Sequence, residues 1–156
     1  MKVLVLTVSD RAWRGVYTDE SGPVIETLIR AQWPDATVDR RIVPDEWDSI
    51  LSAMNSATEH DVIITTGGTG LSPRDITPEV TESFCDRLIP GIAEFLRAES
   101  RQQTPFAVLS RGTAGMKGKT VVVNLPGSAR AAEYCAKLLV PILSHALKMT
   151  EGGGHE

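Results

Sequence analysis

Residues 61–70 read Asp61-Val62-Ile63-Ile64-Thr65-Thr66-Gly67-Gly68-Thr69-Gly70, and Leu71-Ser72-Pro73-Arg74-Asp75-Ile76-Thr77-Pro78-Glu79 follows at once. The apolar run within residues 61–65 reads as a short buried strand, which places the glycines at its carboxyl end. Glycines remove the Cβ atoms that hold a ligand away from the main chain, so bare N–H groups can face an anion. Thr77 suits a helix N-cap, Pro78 the first helical position, and Glu79 the positive end of the helix dipole. Strand, glycine turn, cation, acid and helix start together suggest a phosphate site with a carboxylate able to bind metal. A glycine turn by itself is more often plain turn chemistry. It is not a Walker A loop, since no Lys-Ser or Lys-Thr follows, nor does it have the G-x-G-x-x-G spacing of dinucleotide folds.

Working outward, strand and helix patterns alternate with short connections, the mark of an α/β layered fold. Strands are expected at 3–8, 38–43, 61–65 and 120–125. Helices are expected from Ser21 or Gly22 to about 32, and from Asp45 or Glu46 along Trp47, Ile50, Leu51, Met54 and Ala57. Others follow at 78–88 and 91–100, with a short piece after Thr104-Pro105. A last helix at 129–149 carries Ala132, Cys135, Leu139, Ile142 and Ala146 on one face and Pro141 as a kink. Residues 150–156 read as a flexible Gly-rich tail, leaving 1–149 as a single domain. In an open, mostly parallel sheet, ligands bind outside the carboxyl ends of the strands. The loops at Ser9-Asp10-Arg11, Pro44-Asp45-Glu46, 67–75 and Pro126-Gly127-Ser128 should therefore share one rim.

Composition narrows the function classes. The chain has 156 residues, of which 42% are hydrophobic and 23% charged, which suits one core. A net charge of -4 argues against a broad nucleic-acid footprint, so any anion site must be local. No stretch suits a signal peptide or a membrane span, and a cytoplasmic location is expected. Cys85 and Cys135 read as buried thiols rather than a bridge or metal pair. His60, His145 and His155 lack metal-ligand spacing. Trp33 and Trp47 read as packing residues.

The segment T-T-G-G-T-G-L-S-P-R-D-I-T-P-E resembles the signature of the molybdenum-cofactor biosynthesis family that includes molybdopterin adenylyltransferases and the G domains of gephyrin-type fusions. Three further segments agree: Ser9-Asp10-Arg11 with Gly15 and Asp19, Val43-Pro44-Asp45-Glu46, and Asn124-Leu125-Pro126-Gly127-Ser128. The likeness runs from about Val3 to Met149. It implies a three-layer fold with a mostly parallel central sheet flanked by helices, and transfer of AMP from Mg-ATP to the terminal phosphate of molybdopterin, with pyrophosphate leaving. A non-catalytic molybdopterin-binding or scaffold member of the family is the alternative. A competence-damage-type protein, which shares a related domain, usually carries a second one.

The resemblance also assigns residues. It makes Asp45 and Asp75 the catalytic acids and Mg²⁺ ligands, though Asp45 also suits a helix cap and Asp75 a cap or turn acid. It places Gly67, Gly68, Thr69, Gly70, Ser110, Asn124, Pro126, Gly127 and Ser128 around the nucleotide. Asn124 otherwise suits a strand-end turn and Ser128 a helix cap. Ser9, Asp10, Arg11 and Arg74 are matched to the pterin substrate, with Lys117 and Lys119 as weaker candidates and Trp13 beside the pterin. A homotrimer is implied, with Phe95, Leu96 and Phe106 as contact residues, as is handover of product to a separate molybdate-inserting protein.

Overall fold

Three strands are buried on both faces, as continuous apolar runs in a parallel sheet require. They are β1 (Lys2–Val8), β3 (Val62–Thr66) and β6 (Thr120–Leu125), and from Val3 onward every residue in them is buried. The computed structural model describes residues 1–152. Around the three strands the chain adds α1 (Asp10–Trp13), α2 (Ser21–Gln32), β2 (Thr37–Val43), α3 (Trp47–Asn55), α4 (Thr77–Phe84) and β4 (Arg87–Leu88). It continues through α5 (Pro90–Ser100), a 3-10 turn (Pro105–Leu109), β5 (Ala114–Lys117) and α6 (Ala129–Thr150).

The strands form one six-stranded sheet in the order β2-β1-β3-β6-β5-β4. The pairs β1–β2, β1–β3 and β3–β6 are parallel, while β6–β5 and β5–β4 are antiparallel. Thr7 of β1 pairs with Thr66 of β3, Thr66 with Leu125 of β6, and Val8 with Val43 of β2, so four strands end on one rim. The loops expected to meet do leave from that rim. The edges are protected: β2 carries Asp39, Arg40 and Arg41, and β4 spans two exposed residues.

Alternation along the strands divides the core in two. Val3, Val5, Val62, Ile64, Val121 and Val123 point to one side, against Ile25 and Ile29 of α2, Leu96 of α5, and Leu139 and Leu143 of α6. Leu4, Leu6, Ile63 and Val122 point to the other, against Ile50 and Met54 of α3 and Val80 and Phe84 of α4. The sheet is thus flanked by helices on both faces, as the sequence implies.

Several expectations are corrected. The helix expected at 78–88 stops at Phe84, because Cys85 turns extended and Arg87 and Leu88 pair with Met116 and Gly115 of β5. The strand β5 has no sequence counterpart above: its Ala-Gly-Met-Lys lacks a β-branched run, and only pairing defines it. Leu96 is buried in the core rather than available for a subunit contact, and Trp47 is exposed rather than packed. On α6 the apolar stripe runs through Leu143, with Ile142 and Ala146 half-buried, and the helix continues through Pro141. It also runs one residue into the expected tail, whose last residues, 153–156 with His155 among them, lie outside the described residues. Both cysteines are free, and burial pushes the Cys85 thiol up to about 11 and raises that of Cys135 as well.

Two outcomes test this account. Truncation of the fully buried Leu139 to alanine should cost roughly 2–5 kcal/mol in urea denaturation, through lost burial and a residual cavity. At the opposite rim the buried His60 ring lies 2.8 Å from the Asp39 carboxylate. That hydrogen bond holds Asp39 below the usual carboxylate range. A depressed carboxyl pKa stabilises the fold above the unfolded value, and the gain is lost as pH falls through the folded one. Asp39→Asn should therefore melt below the wild type at neutral pH, with the two curves converging in acid.

Candidate active site

The rim is crowded, and glycine is what lets the chain cross it. Gly67 has φ +97°, and a Cβ there would collide with the Val8 carbonyl oxygen. Its N–H is held by the Leu125 carbonyl at 3.1 Å, and the Thr66 hydroxyl donates to the Pro126 carbonyl at 2.8 Å. Gly68, at φ +66°, leaves a slot whose filling would strike Thr77 Oγ1 and approach Asp45 Oδ1 to 3.2 Å. Gly67 is therefore spent on structure, whereas the amides of Gly68, Thr69 and Gly70 have no protein acceptor among the described residues. Those three, not all four positions of the turn, can meet an anion.

The acids are placed by reciprocal bonds between loops. The Asp10 N–H donates to Asp45 Oδ2 at 2.8 Å, and the Asp45 N–H donates to Asp10 Oδ1 at 3.0 Å. Arg74 then grips Asp10 with two bonds, Nε to Oδ2 at 2.7 Å and Nη2 to Oδ1 at 2.9 Å. Those bonds from Arg74 hold the Asp10 carboxyl below its usual range. Burial pushes Asp45 the other way, and the nearby negative charges of Asp10 and Asp75 add to it, against the Asp10 amide bond. Asp45 is not a side-chain cap: Glu46 takes that position before α3, without a capping bond. Asp75 Oδ2 accepts the Ser72 N–H at 3.0 Å, inside the loop that the glycines open.

Asp45, Asp75, Gly67, Gly68, Ser9 and Gly127 line one cavity of about 230 Å³, together with Thr7, Tyr17, Asp19 and Ser21. Ser110, Asn124, Pro126 and Ser128 line a different, largely apolar cavity of about 320 Å³ between α5 and α6. A shallow depression joins them, sharing Gly68, Asp75 and Gly127 with the first and Phe106 and Ser110 with the second. The sequence motifs thus converge on one trough with a polar end and an apolar end.

Several assigned residues have demanding local duties. Ser9 caps α1 through the Ala12 N–H, and Ser128 caps α6 through the Ala131 N–H. The Asn124 amide donates to Thr65 and Thr81 hydroxyls at 2.9 Å each and its oxygen accepts the Thr113 N–H, so it ties β6 to β3 and α4. Arg11 is exposed and stacks 5.4 Å over the Tyr17 ring, and Trp13 is exposed. Lys117 pairs with Asp86, near β4. Thr77 does not cap α4: Ile76 holds that position, and the Thr77 hydroxyl is buried without a partner among the described residues.

Two residues gain roles that local sequence does not reveal. Asp19 accepts from the Thr7 hydroxyl at 2.8 Å and from the Ser21 hydroxyl and Gly22 N–H, closing the first turn of α2 beside the cavity. Arg111 reaches back across the chain to the glycine loop: its Nε donates to the Gly70 carbonyl at 2.8 Å and its N–H to the Thr69 carbonyl at 2.8 Å.

Among the described residues no group of three His, Cys, Asp or Glu side chains could enclose a metal. Asp45 and Asp75 nevertheless suit Mg²⁺, which takes one or two carboxylates and fills its remaining positions with phosphate and water. Each has Oδ1 free of a protein donor among the described residues, and the raised Asp45 carboxyl would be relieved by a cation.

A glycine turn with free amides, flanked by two acids at the carboxyl rim of this sheet, is the arrangement that the four motifs implied. The chain belongs to the molybdopterin-binding family. Residues 4–145 match the family described as "Probable molybdopterin binding domain". Molybdopterin adenylyltransferase of Helicobacter pylori strain 26695 is 38% identical over 152 residues, which is 95% of this chain and 86% of that protein. The molybdenum cofactor synthesis protein cinnamon of Drosophila melanogaster is 39% identical over 93% of this chain, which spans 25% of that longer protein. Among solved structures, one of MogA superposes with a TM-score of 0.91 at 38% identity, covering 96% of this chain and 99% of that one. A MoaB from Thermus thermophilus, called a molybdopterin biosynthesis enzyme, gives 0.86 at 39% identity, with 99% of each chain covered. The molybdopterin-binding fold and a place in molybdenum cofactor biosynthesis follow.

The crowding at the turn is testable. Gly67→Ala must adopt a left-handed backbone and displace the end of β1, at a cost of about 1–3 kcal/mol. Urea denaturation should show the lowered midpoint, and an unchanged midpoint would mean that the strand ends yield.

Proposed function

We propose that the chain is a molybdopterin adenylyltransferase, transferring AMP from ATP to the terminal phosphate of molybdopterin and releasing pyrophosphate. The observation that carries this reading is the convergence of Asp45, Asp75 and Gly68 on one cavity, with Thr69 and Gly70 lining the depression that joins it to an apolar one. A phosphate oxygen of molybdopterin attacks the α-phosphorus, and the bond to the pyrophosphate oxygen breaks. Such a reaction concentrates negative charge at the transferring group, so the protein works chiefly by positioning and electrostatic stabilisation. The amides of Gly68, Thr69 and Gly70 meet phosphate oxygens, and Arg74, paired with Asp10, adds positive charge beside Asp45. Bound Mg²⁺ would neutralise phosphate charge, held by Asp45 and Asp75. The apolar cavity, walled by Ser110, Pro126 and Ser128, accommodates a heteroaromatic ring of the nucleotide.

The name of the Helicobacter relative supports the adenylyl transfer, and the bifunctional relatives named for molybdenum cofactor biosynthesis support a link with molybdate insertion. In this reading the product passes to a separate molybdate-inserting protein. A homotrimer is part of the same reading. Phe106, 74% exposed, and Phe95 are available to such a contact, joined by Val108 and Leu109. No helix among the described residues is long and apolar enough to cross a membrane, and the proposed location is the cytoplasm.

Pyrophosphate release with molybdopterin, ATP and Mg²⁺ tests the reading, run beside a thermal melt of each variant. Asp75→Asn keeps size but removes charge, and turnover should fall by about a hundredfold or more with the fold intact. Asp45→Asn should fall comparably and melt no lower, since burial and repulsion destabilise its charged form. Full activity in both variants would overturn the catalytic roles. Binding of Mg-ATP without pyrophosphate release by the wild type would leave a molybdopterin-binding protein that does not turn over.

A further inference from the structure

Gly70 and Asp75 bracket an exposed loop, Leu71 to Arg74, that carries one of the two acids of the site. Internal bonds shape that loop, with the Asp75 N–H donating to the Ser72 carbonyl at 2.9 Å and Asp75 Oδ2 receiving the Ser72 N–H. They do not fix where it stands against the glycine turn. Arg74 ties its tip to Asp10, the Thr77 N–H ties the chain after it to the Gly68 carbonyl, and a third tie, at both of its ends, comes from a distant part of the chain. The Arg111 guanidinium donates from Nε to the Gly70 carbonyl at 2.8 Å and from Nη2 to the Asp75 carbonyl at 2.5 Å, and Nη1 pairs with Glu79. Three donor groups of one rigid plane are thereby committed to three protein acceptors, so Arg111 is not poised to bind a phosphate itself. The fit is tight: a Cβ on Gly70 would lie 2.8 Å from Asp75 Oδ2.

Arg111 is itself anchored. Arg97 of α5 donates through Nη1 to the carbonyl of Gly112 at 2.6 Å and to that of Ser110 at 3.4 Å, the residues on either side of it. The Arg111 N–H adds its bond to the Thr69 carbonyl. A chain of contacts thus runs from α5 through Arg97 and the 110–112 segment to the two ends of the acid-bearing loop.

We propose that Arg111 is a positioning residue for the transfer site, holding the Asp75 carboxylate at a fixed distance from the free amides of the glycine turn, with Arg97 steadying it from α5. This rests on the adenylyl-transfer reading for its catalytic consequence, but not for its geometry. A planar fork fixes two carbonyls at once, which a lysine ammonium, a single point charge on a flexible stem, does not do. Misplacement of a reacting group by about 1 Å can cost on the order of a hundredfold in rate with little change in binding.

The test compares wild type, Arg111→Lys, Arg97→Met, the double variant of these two, and Glu79→Gln by amide hydrogen exchange and by steady-state kinetics of pyrophosphate release. Arg111→Lys should speed exchange across residues 70–75 while the core strands stay protected. Its kcat should fall at least about tenfold, with KM for Mg-ATP within about threefold of wild type. Arg97→Met should show the same pattern more weakly, and its effect should not add to that of Arg111→Lys, because both act through one segment. Unchanged exchange in the loop overturns the proposal whatever the activity, as does faster exchange with unchanged kcat. A loss in Glu79→Gln as large as in Arg111→Lys would assign the effect to the ion pair and also overturn it. If wild type releases no pyrophosphate, the adenylyl-transfer reading falls, and loop exchange then decides whether Arg111 positions Asp75.

Discussion

The chain leaving β3 must cross directly beneath the end of β1, and the rest of the rim is built around that crossing. No side chain fits there: the Val8 carbonyl occupies the space a Cβ on Gly67 would take, and the Leu125 carbonyl takes the Gly67 N–H. One residue therefore links the ends of three parallel strands. Having turned, the chain leaves the amides of Gly68, Thr69 and Gly70 without protein acceptors among the described residues and returns to start α4, where the Thr77 N–H donates to the Gly68 carbonyl at 3.1 Å. A turn so constrained suits a phosphate-binding edge, because its free donors are held in place before any ligand arrives.

The second organising feature is electrostatic. A chain of net charge -4 gathers Asp10, Asp19, Asp45 and Asp75 on one rim, and avoids the full cost of their repulsion by giving them different surroundings. Asp10 takes both bonds from Arg74 and is held down, while Asp45 sits deeper, receives one amide bond, and is raised by burial and its neighbours' charge. The reciprocal bonds between the Asp10 and Asp45 loops keep the acids at a set separation, so the tension is structural and not relieved by drift. A cation or a positively charged ligand group is the natural relief for Asp45.

How far this was legible in sequence depends on the range of the interactions involved. The strands β1, β3 and β6 are unbroken apolar runs, and the glycine motif declares the end of β3, so the parallel core and the shared rim were readable. The strands β4 and β5 were not, since Arg87 and Leu88 have no apolar pattern and become a strand by pairing with Met116 and Gly115. Local cap rules also misled: Thr77 and Asp45 both have the chemistry of N-caps, but tertiary contacts turned the first inward and gave the second to the Asp10 amide. Arg111 stands next to the assigned Ser110, yet its partners at Gly70 and Asp75 lie 41 and 36 residues away, beyond any local signal. The family resemblance assigned Ser110, Asn124, Pro126 and Ser128 to the nucleotide. It did not show that they wall a separate apolar cavity, or that the Asn124 amide is wholly engaged within the protein.

That division of the trough follows from the sheet itself. Where the parallel strands β1, β3 and β6 end, main-chain amides and acids are exposed, and the surface is polar. Beyond β6 the sheet turns antiparallel, α5 and α6 draw together over Cys135, Leu96 and Tyr134, and the surface becomes apolar. The change in strand direction thus sets a change in solvent character across the width of a small molecule. A ligand with phosphates at one end and an aromatic ring at the other can satisfy both parts without either being desolvated against its preference. The 105–112 segment lies between the two environments, and Arg97 and Arg111 tie it to α5 and to the acid-bearing loop. The seam between the parallel and antiparallel parts of the sheet therefore also divides the polar end of the site from the apolar one.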